Sequence, residues 1–259
     1  MVADLSDFQK REFRFRAVKV WTPSWDFLMI FRNALLTSMG SADIEALFPS
    51  MREVTLGIGE TLRDVGEQID RVYFPSSAVI SVVTVMEDGR SIEAASIGFE
   101  SVAGLLAALT EVPPVTRMFV QIAGGAISPP AEKLRARAVQ SPALMKLILR
   151  HAQLTLAQAE QSTACNALHL LHNRLARWLL ITQDRVASAT MLLTQVYMGV
   201  KACALRSSIS LAASAFKEDR LINYSRGLVD ILDRPGLERQ ACECYTVDRA
   251  NREALLAGN

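Results

Sequence analysis

The sequence predicts an α+β fold: an N-terminal jelly-roll-like β-roll, then a long helix, then a smaller unit of short helices and a β-hairpin. Three observations carry this. Residues 51–127 divide into short β-rich runs punctuated by Gly57, Gly59, Gly66 and the pair Asp88-Gly89. Residues 141–186 contain no Gly, and no Pro after Pro142, so nothing there interrupts a helix. Beyond residue 193 helical character returns in short pieces, and two β-rich runs then flank Ser225-Arg226-Gly227.

Composition bounds the function classes. The chain has 259 residues, half of them hydrophobic, enough for one large or two ordinary domains. Its 28 Lys and Arg against 27 Asp and Glu give a formal charge of +1. A balanced total neither requires nor excludes a nucleic-acid partner, because a small basic face can sit within it. The N-terminus lacks the basic-then-apolar form of a signal peptide, and no apolar run approaches the ~20 residues of a membrane span. The expectation is a cytoplasmic protein with reduced thiols and no membrane partner.

Taken in order, residues 1–30 form an N-terminal extension. Phe13, Phe15, Val18 and Val20 alternate with Arg14, Arg16 and Lys19, the pattern of a strand with a basic face. It reads either as a nucleic-acid-binding arm or as an edge strand or tail, with the second favoured. Residues 33–48 suit short helices, with Ser41 as N-cap and Glu45 near the capping-box position. The strands of the roll follow. Ala78–Met86 and Ser91–Ile97 flank Asp88-Gly89, the strongest hairpin signal in the chain. Gly98–Leu106 is a loop with a helical turn, Val115–Ile122 a strand, Gly124-Gly125 a turn and Ala126-Ile127 the start of a closing strand. Ala131–Val139 is a short helix leading into the long one.

Along the long stretch, Leu144, Leu147, His151, Leu154, Gln158 and Gln161 recur at steps of three and four, a coiled-coil-like seam that is polar towards its middle. It continues through Cys165 to Leu179. Met145, Leu149, Ala152, Leu156, Ala159 and Thr163 form a second stripe on another side. A helix with two such faces touches its own domain and a partner, and the first stripe is the expected homodimer seam. Two short helices, near Gln195–Lys201 and Leu205–Lys217, then precede strand 221–224, turn 225–227 and strand 228–232, the layout of a winged helix-turn-helix. Arg234-Pro235 opens a last helix.

With these segments in place the chain resembles the Crp/Fnr family of bacterial transcription regulators over roughly Asn33–Tyr245. The resemblance rests on Gly66-Glu67 with Arg71-Val-Tyr-Phe-Pro75, on Met86-Glu-Asp-Gly-Arg-Ser91, on Asn173-Arg-Leu-Ala-Arg-Trp-Leu-Leu180 and on Leu221-Ile-Asn-Tyr-Ser-Arg-Gly227. It implies a cyclic-nucleotide-binding-like sensor domain at 31–140 and a dimerisation helix at 141–166. A winged helix-turn-helix DNA-binding domain at 167–245 and a C-terminal tail at 246–259 follow, with a hinge near Asn166. The implied function is transcriptional regulation by a homodimer on double-stranded DNA carrying an inverted repeat, with RNA polymerase and an unknown small-molecule effector as further partners. The alternative is a signalling or interaction protein that keeps the fold with degenerate DNA recognition.

The resemblance also places site residues. Arg206 matches the family's base-reading arginine, and a guanidinium can bond two acceptors of guanine at once. Ser207, Ser208 and Ser210 suit phosphate or base contacts, Thr194 and Gln195 contact the backbone, and Lys201 and Arg226 contact phosphates. Leu211, Ala212, Ala213, Ala215 and Phe216 are expected in the core. Relatives usually carry Gly in the turn between the two helices, where this chain has Cys203. In the roll, Gly98, Glu100, Gly104, Leu105, Thr116 and Arg117 fall on the effector pocket. Leu105 stands where cyclic-AMP-binding members place a ribose-binding Glu, and leucine bonds no hydroxyl, so the family's usual cyclic AMP binding is not expected.

Other chemistry is weaker. No Cys precedes Cys165, so the N-terminal iron–sulfur ligands of some family members are absent. Cys242-Glu243-Cys244 lacks an evident second pair and reads as an exposed helix end, and His169 and His172 could share a helix face without further ligands. No metal site, no cofactor and no catalytic residue is expected, and no nucleophile motif or phosphate loop is present. An enzyme is the weakest class.

Overall fold

The computed structural model describes residues 32–186, 190–193, 198, 204–225 and 227–256. The expected strand within 1–30, the turn at Cys203, and the candidates Thr194, Gln195, Lys201 and Arg226 lie outside the described residues. No described helix is long and apolar enough to cross a membrane.

Two short helices lead in, α1 (Ala34–Thr37) and α2 (Ser41–Leu47). Asn33 caps α1: its Oδ1 accepts from the Leu35 and Leu36 amides, both at 3.1 Å. Its Nδ2 donates to the carbonyls of Pro75 and Ser101, both at 2.9 Å, so one fully buried amide ties the first helix to the end of one strand and to one loop of the roll. The second cap differs from expectation. Gly40 is the N-cap of α2 and Ser41 its first residue, because Gly40 alone takes the extended conformation there.

The roll consists of two antiparallel sheets. One has the order β1 (Arg52–Leu56), β7 (Gly124–Ser128), β3 (Phe74–Pro75). The other runs β2 (Thr61–Arg63), β6 (Arg117–Ile122), β4 (Val79–Val85), β5 (Ser91–Ile97). Strands β4 and β5 pair from Ile80↔Ile97 to Val85↔Ser91, with Gly89 at φ 82 in the turn. Gly124 and Gly125 are part of β7 rather than a turn. The reason is close approach: a Cβ at Gly124 would lie 2.5 Å from the Ala78 amide nitrogen, so only glycine lets β7 pass the chain there. Helix α3 (Leu105–Thr110) and helix α4 (Ala131–Gln140) complete the roll. Its core joins Leu36, Val72, Phe74, Ile80 and Val120 to Leu134 of α4.

The long stretch is two helices, α5 (Pro142–Leu168) and α6 (Leu171–Val186), separated where His169 turns extended. Ser141 caps α5, its Oγ accepting from the Leu144 amide at 3.2 Å, and Leu144 and Ile148 belong to the core of the roll. A second core is built from α6 (Leu175, Leu179, Leu180), from α7 (Arg206–Glu218) and from a three-stranded sheet in the order β8 (Thr190–Leu192), β10 (Leu228–Ile231), β9 (Ile222–Ser225). Helix α8 (Arg234–Gln240) follows, capped by Asp233, whose carboxylate accepts from the Gly236 amide at 2.9 Å. The C-terminal stretch, expected as a tail, is instead helix α9 (Cys244–Leu256), packed against α5 and α6.

Candidate nucleic-acid interface and sensor site

Helix α7 begins at Arg206, as the sequence predicts, with Leu205 extended as its N-cap. Its inward face is set by spacing: Ile209, Ala213 and Phe216 fall at steps of four and three and are all buried. The opposite face carries Ser207, Leu211, Ser214 and Glu218, all exposed, with Ser208 and Ser210 half-buried at its edges. The Arg206 side chain lies outside the described residues. Leu211, expected in the core, is 74% exposed, because it stands two residues from both Ile209 and Ala213, on the opposite side of the helix, and faces solvent with Ser207. Beside α7 the hairpin β9–β10 pairs Ser225 with Leu228, and Gly227 at φ 81 makes its turn. The ammonium of Lys217 donates to the Tyr224 carbonyl at 3.5 Å, linking the end of α7 to the hairpin. Strand β8, unseen in the sequence, closes the sheet on its other edge, where the Thr190 hydroxyl donates to Asp230 at 2.5 Å.

The six residues expected around an effector do not form one site. Gly104 sits at φ 84 and caps α3, but a Cβ there would meet Ile69 Cδ1 at 3.1 Å and Met118 Cε at 3.6 Å. The Ile69 and Met118 side chains thus lie close against the residue that opens α3. Leu105 is 4% exposed and belongs to the core of the roll. Arg117 binds Asp64 through two hydrogen bonds of 2.9 Å at the edge of the roll, next to the half-buried Thr116. This neighbour holds the Asp64 carboxyl below its ordinary range. Gly98 and Glu100 turn the other way. Glu100 is buried and pairs with Arg185 of α6 at 2.7 Å. Arg185 carried no signal in the sequence, because an arginine late in a helix reads as a solvated end.

The expected dimer seam also faces inward. Leu144 is in the core of the roll and Leu147 packs against it. His151 is 4% exposed and shares a 2.7 Å hydrogen bond between its Nε2 and Ser101 Oγ. Burial pushes its pKa down to about 4, against the opposing pull of Glu100. Leu154 and Gln158 line a shallow cleft with Ile181, Arg185, Tyr245 and Asp248, and Gln161 donates to Cys244 Sγ at 2.9 Å. Of the second stripe, Leu149 and Leu156 face outward, 62% and 59% exposed, while Met145 packs against the core of the roll and Ala152 and Ala159 are half-buried. The periodicity showed two faces correctly but not which was internal, since α9 was not anticipated.

The cysteines depart furthest from expectation. Cys242 and Cys244 are buried rather than at an exposed helix end, and they meet Cys165 and His169 in one cluster. His169 and His172 lie on either side of the α5–α6 break, with His172 bonded to Gln240 at 3.1 Å.

No protein-family model and no curated protein matches the sequence. The structure does match solved ones. FixK2 from Bradyrhizobium japonicum is similar at 16% identity and a TM-score of 0.65, over 74% of this chain and 98% of that one. The transcriptional regulator TTHB099 of the CRP family, from Thermus thermophilus, is similar at 19% identity and a TM-score of 0.62, over 73% of this chain and 96% of that one. The CRP/FNR-family transcriptional regulator TTHA1359 from the same organism is similar at 18% identity and 0.62, over 73% and 98%. The chain has the fold of these regulators, a cyclic-nucleotide-binding-type β-roll followed by a helix-turn-helix unit.

Proposed function

We propose that this chain is a sequence-specific, double-stranded-DNA-binding transcription regulator that works as a homodimer. The observation that carries the reading is the outward face of α7, with Ser207, Leu211 and Ser214 exposed beside the β9–β10 hairpin and an arginine in its first turn. A helix held this way presents its N-terminal residues to base edges in the major groove, while short hydroxyls suit phosphates and an apolar side chain suits a thymine methyl. Selection from random duplexes with the full chain tests it. An inverted repeat with half-sites about one DNA turn apart is expected, and Arg206→Ala should cost about 1–3 kcal/mol and relax specificity at one position. Failure to enrich any inverted repeat refutes the reading and favours an interaction protein that keeps the fold.

The dimer surface proposed is the outer stripe of α5. Leu149 and Leu156 are large, apolar and exposed on the same face, and each buried leucine is worth about 1.5–3 kcal/mol. Leu149→Lys with Leu156→Lys should raise the dimer dissociation constant at least about tenfold in sedimentation. Gln158→Leu with Gln161→Leu should leave it unchanged, because those side chains face the chain's own cleft and Cys244. A dimer that ignores the lysines refutes this surface. The apolar side chains against Gly104, the buried Leu105 and the tie between Arg117 and Asp64 support a roll that does not take cyclic AMP in the family's usual way, so no thermal shift with cyclic AMP is expected. RNA polymerase, an effector of another kind and a cytoplasmic setting belong to the same proposal.

A further inference from the structure

Three thiols and an imidazole, far apart in the sequence, meet where the long helix ends. Cys165 lies in the last turn of α5 and His169, four residues on, is its C-cap. Cys242 lies between α8 and α9, and Cys244 opens α9. Their donor atoms all lie within 4.8 Å of one another. The three cysteines form a small buried cluster of their own, separate from both larger apolar cores.

The separations identify the chemistry. Cys165 Sγ and Cys242 Sγ are 3.6 Å apart, and Cys244 Sγ is 3.5 Å from His169 Nδ1. A disulfide needs about 2.05 Å, so these are free thiols. Zinc bonds of about 2.3 Å to sulfur and about 2.0–2.1 Å to nitrogen, set at tetrahedral angles, give S···S edges of about 3.8 Å and S···N edges of about 3.5 Å. These two distances match such edges to within a few tenths of an ångström, and the remaining donor pairs lie within 4.8 Å. An iron–sulfur cluster interposes several atoms between its ligands and would spread them further.

The surroundings fit a metal as well. His169 Nε2, on the far side of the ring, lies 3.1 Å from the Glu243 carboxylate, the arrangement that fixes the tautomer leaving Nδ1 free to ligate. Gln161 Nε2 donates to Cys244 Sγ at 2.9 Å. Three thiolates, a neutral imidazole and a divalent cation leave one negative charge. The buried Arg177 guanidinium, paired with Asp248 at 2.6 Å, is also close enough to interact with Cys165 and Cys244.

We propose that Cys165, His169, Cys242 and Cys244 hold one zinc ion in a closed, four-ligand structural site that clasps the end of α5 to the start of α9. Two ligands come from the α5–α6 joint and two from the α8–α9 joint, so the ion fixes how the helix-turn-helix unit hangs on the long helix. This site is independent of the DNA-binding reading and stands or falls separately. Metal binding by such a set is coupled to local folding, since ligands from two remote segments are brought together.

The test uses the full chain purified without chelator. Elemental analysis should find about one zinc per chain. Cobalt loaded into chelator-stripped protein should show intense thiolate-to-cobalt charge-transfer bands with tetrahedral ligand-field bands. Glu243→Gln, a change at an exposed side chain that leaves all four ligands, should weaken zinc about 10- to 100-fold in competition with a chromophoric chelator. Cys242→Ser should weaken the charge-transfer bands in proportion to the lost thiolate and lower the affinity for zinc. Metal-free protein that is folded by circular dichroism and takes up no cobalt overturns the proposal. So does iron at full occupancy in place of zinc, or a Cys242→Ser variant that binds zinc as tightly as the wild type.

Discussion

Replacing Arg185 by Met asks how firmly the roll holds the helix-turn-helix unit. Glu100 lies in the loop after β5 and Arg185 near the end of α6, and their side chains are 5% and 6% exposed at a separation of 2.7 Å. Glu100 Oε2 and Arg185 Nη1 have no hydrogen-bond partner, so the pair repays only part of its desolvation. Removing one member then leaves a buried charge uncompensated, at a cost of about 3–5 kcal/mol. That is a large share of the ~5–15 kcal/mol that holds a typical domain folded. Replacing both, Glu100→Met with Arg185→Met, removes both charges from the low-dielectric site and should restore most of the loss, because apolar substitution of a buried pair is often neutral or stabilising. Urea unfolding followed by the fluorescence of Trp178, buried on α6, provides the assay, and the double-mutant cycle isolates the coupling. A cost below about 1 kcal/mol for Arg185→Met, or a double variant as unstable as the sum of its singles, would show that the charge is not buried as described.

Two further outcomes follow from the same loop. Gly98→Ala would place a Cβ 2.8 Å from Glu100 Oε2 and 2.9 Å from Arg185 Cγ, so a loss of about 1–3 kcal/mol is expected in urea unfolding, reduced in the Arg185→Met background where the arginine stem no longer stands in the way. His151 stays neutral in the fold down to about pH 4, against an ordinary value of 6.5, because burial outweighs the attraction of Glu100. The unfolded chain therefore binds the extra proton first, and the His151 contribution is intact above pH 6.5 and lost as pH falls towards 4, amounting to about 3 kcal/mol. The difference in stability between wild type and His151→Gln, measured against pH, should show this slope between 6.5 and 4. A flat difference would place the imidazole in water.

The sequence was legible where the signal is local. Asp88-Gly89 marked a hairpin because a positive φ at Gly89 is a property of the turn itself, and the β4–β5 register follows from it. The start of α7 at Arg206, the β9–β10 hairpin and the start of α8 at Arg234-Pro235 were legible for the same reason. What failed was the partner of each face. Leu144, His151 and Gln161 announce a buried stripe, but periodicity is silent on whether a second copy or the chain's own roll and C-terminal helix covers it. Helix α9 decided that question, and its start was read as an exposed end because Cys242 and Cys244 looked unmatched. Cys165 and His169 match them only in three dimensions, since the joint after α5 and the joint before α9 come together through packing of α9 on the long helix. Strand β8 was missed because three residues, Thr190–Leu192, gain strand character only from pairing with β10. The effector residues were placed by resemblance, and Glu100 turned out to bind Arg185 because the loop that carries it faces α6 rather than α3.

These contacts define how strain in one half of the molecule reaches the other. The loop Gly98–Ser101 touches α5 through the bond from Ser101 to His151, and α6 through the pair of Glu100 with Arg185. It also touches α1 through the Ser101 carbonyl, which accepts from Asn33. Helix α9 grips the same two long helices, through Asp248 on Arg177 at 2.6 Å and Cys244 on Gln161, and lines one cleft together with Glu100 and Ser101 of that loop. The α5–α6 break at His169 lies on the α9 side, at the cysteine cluster. A displacement of the loop therefore reaches α6 directly through Arg185. The proposed ion would add one more tie between the end of α5 and the start of α9, beside the break at His169.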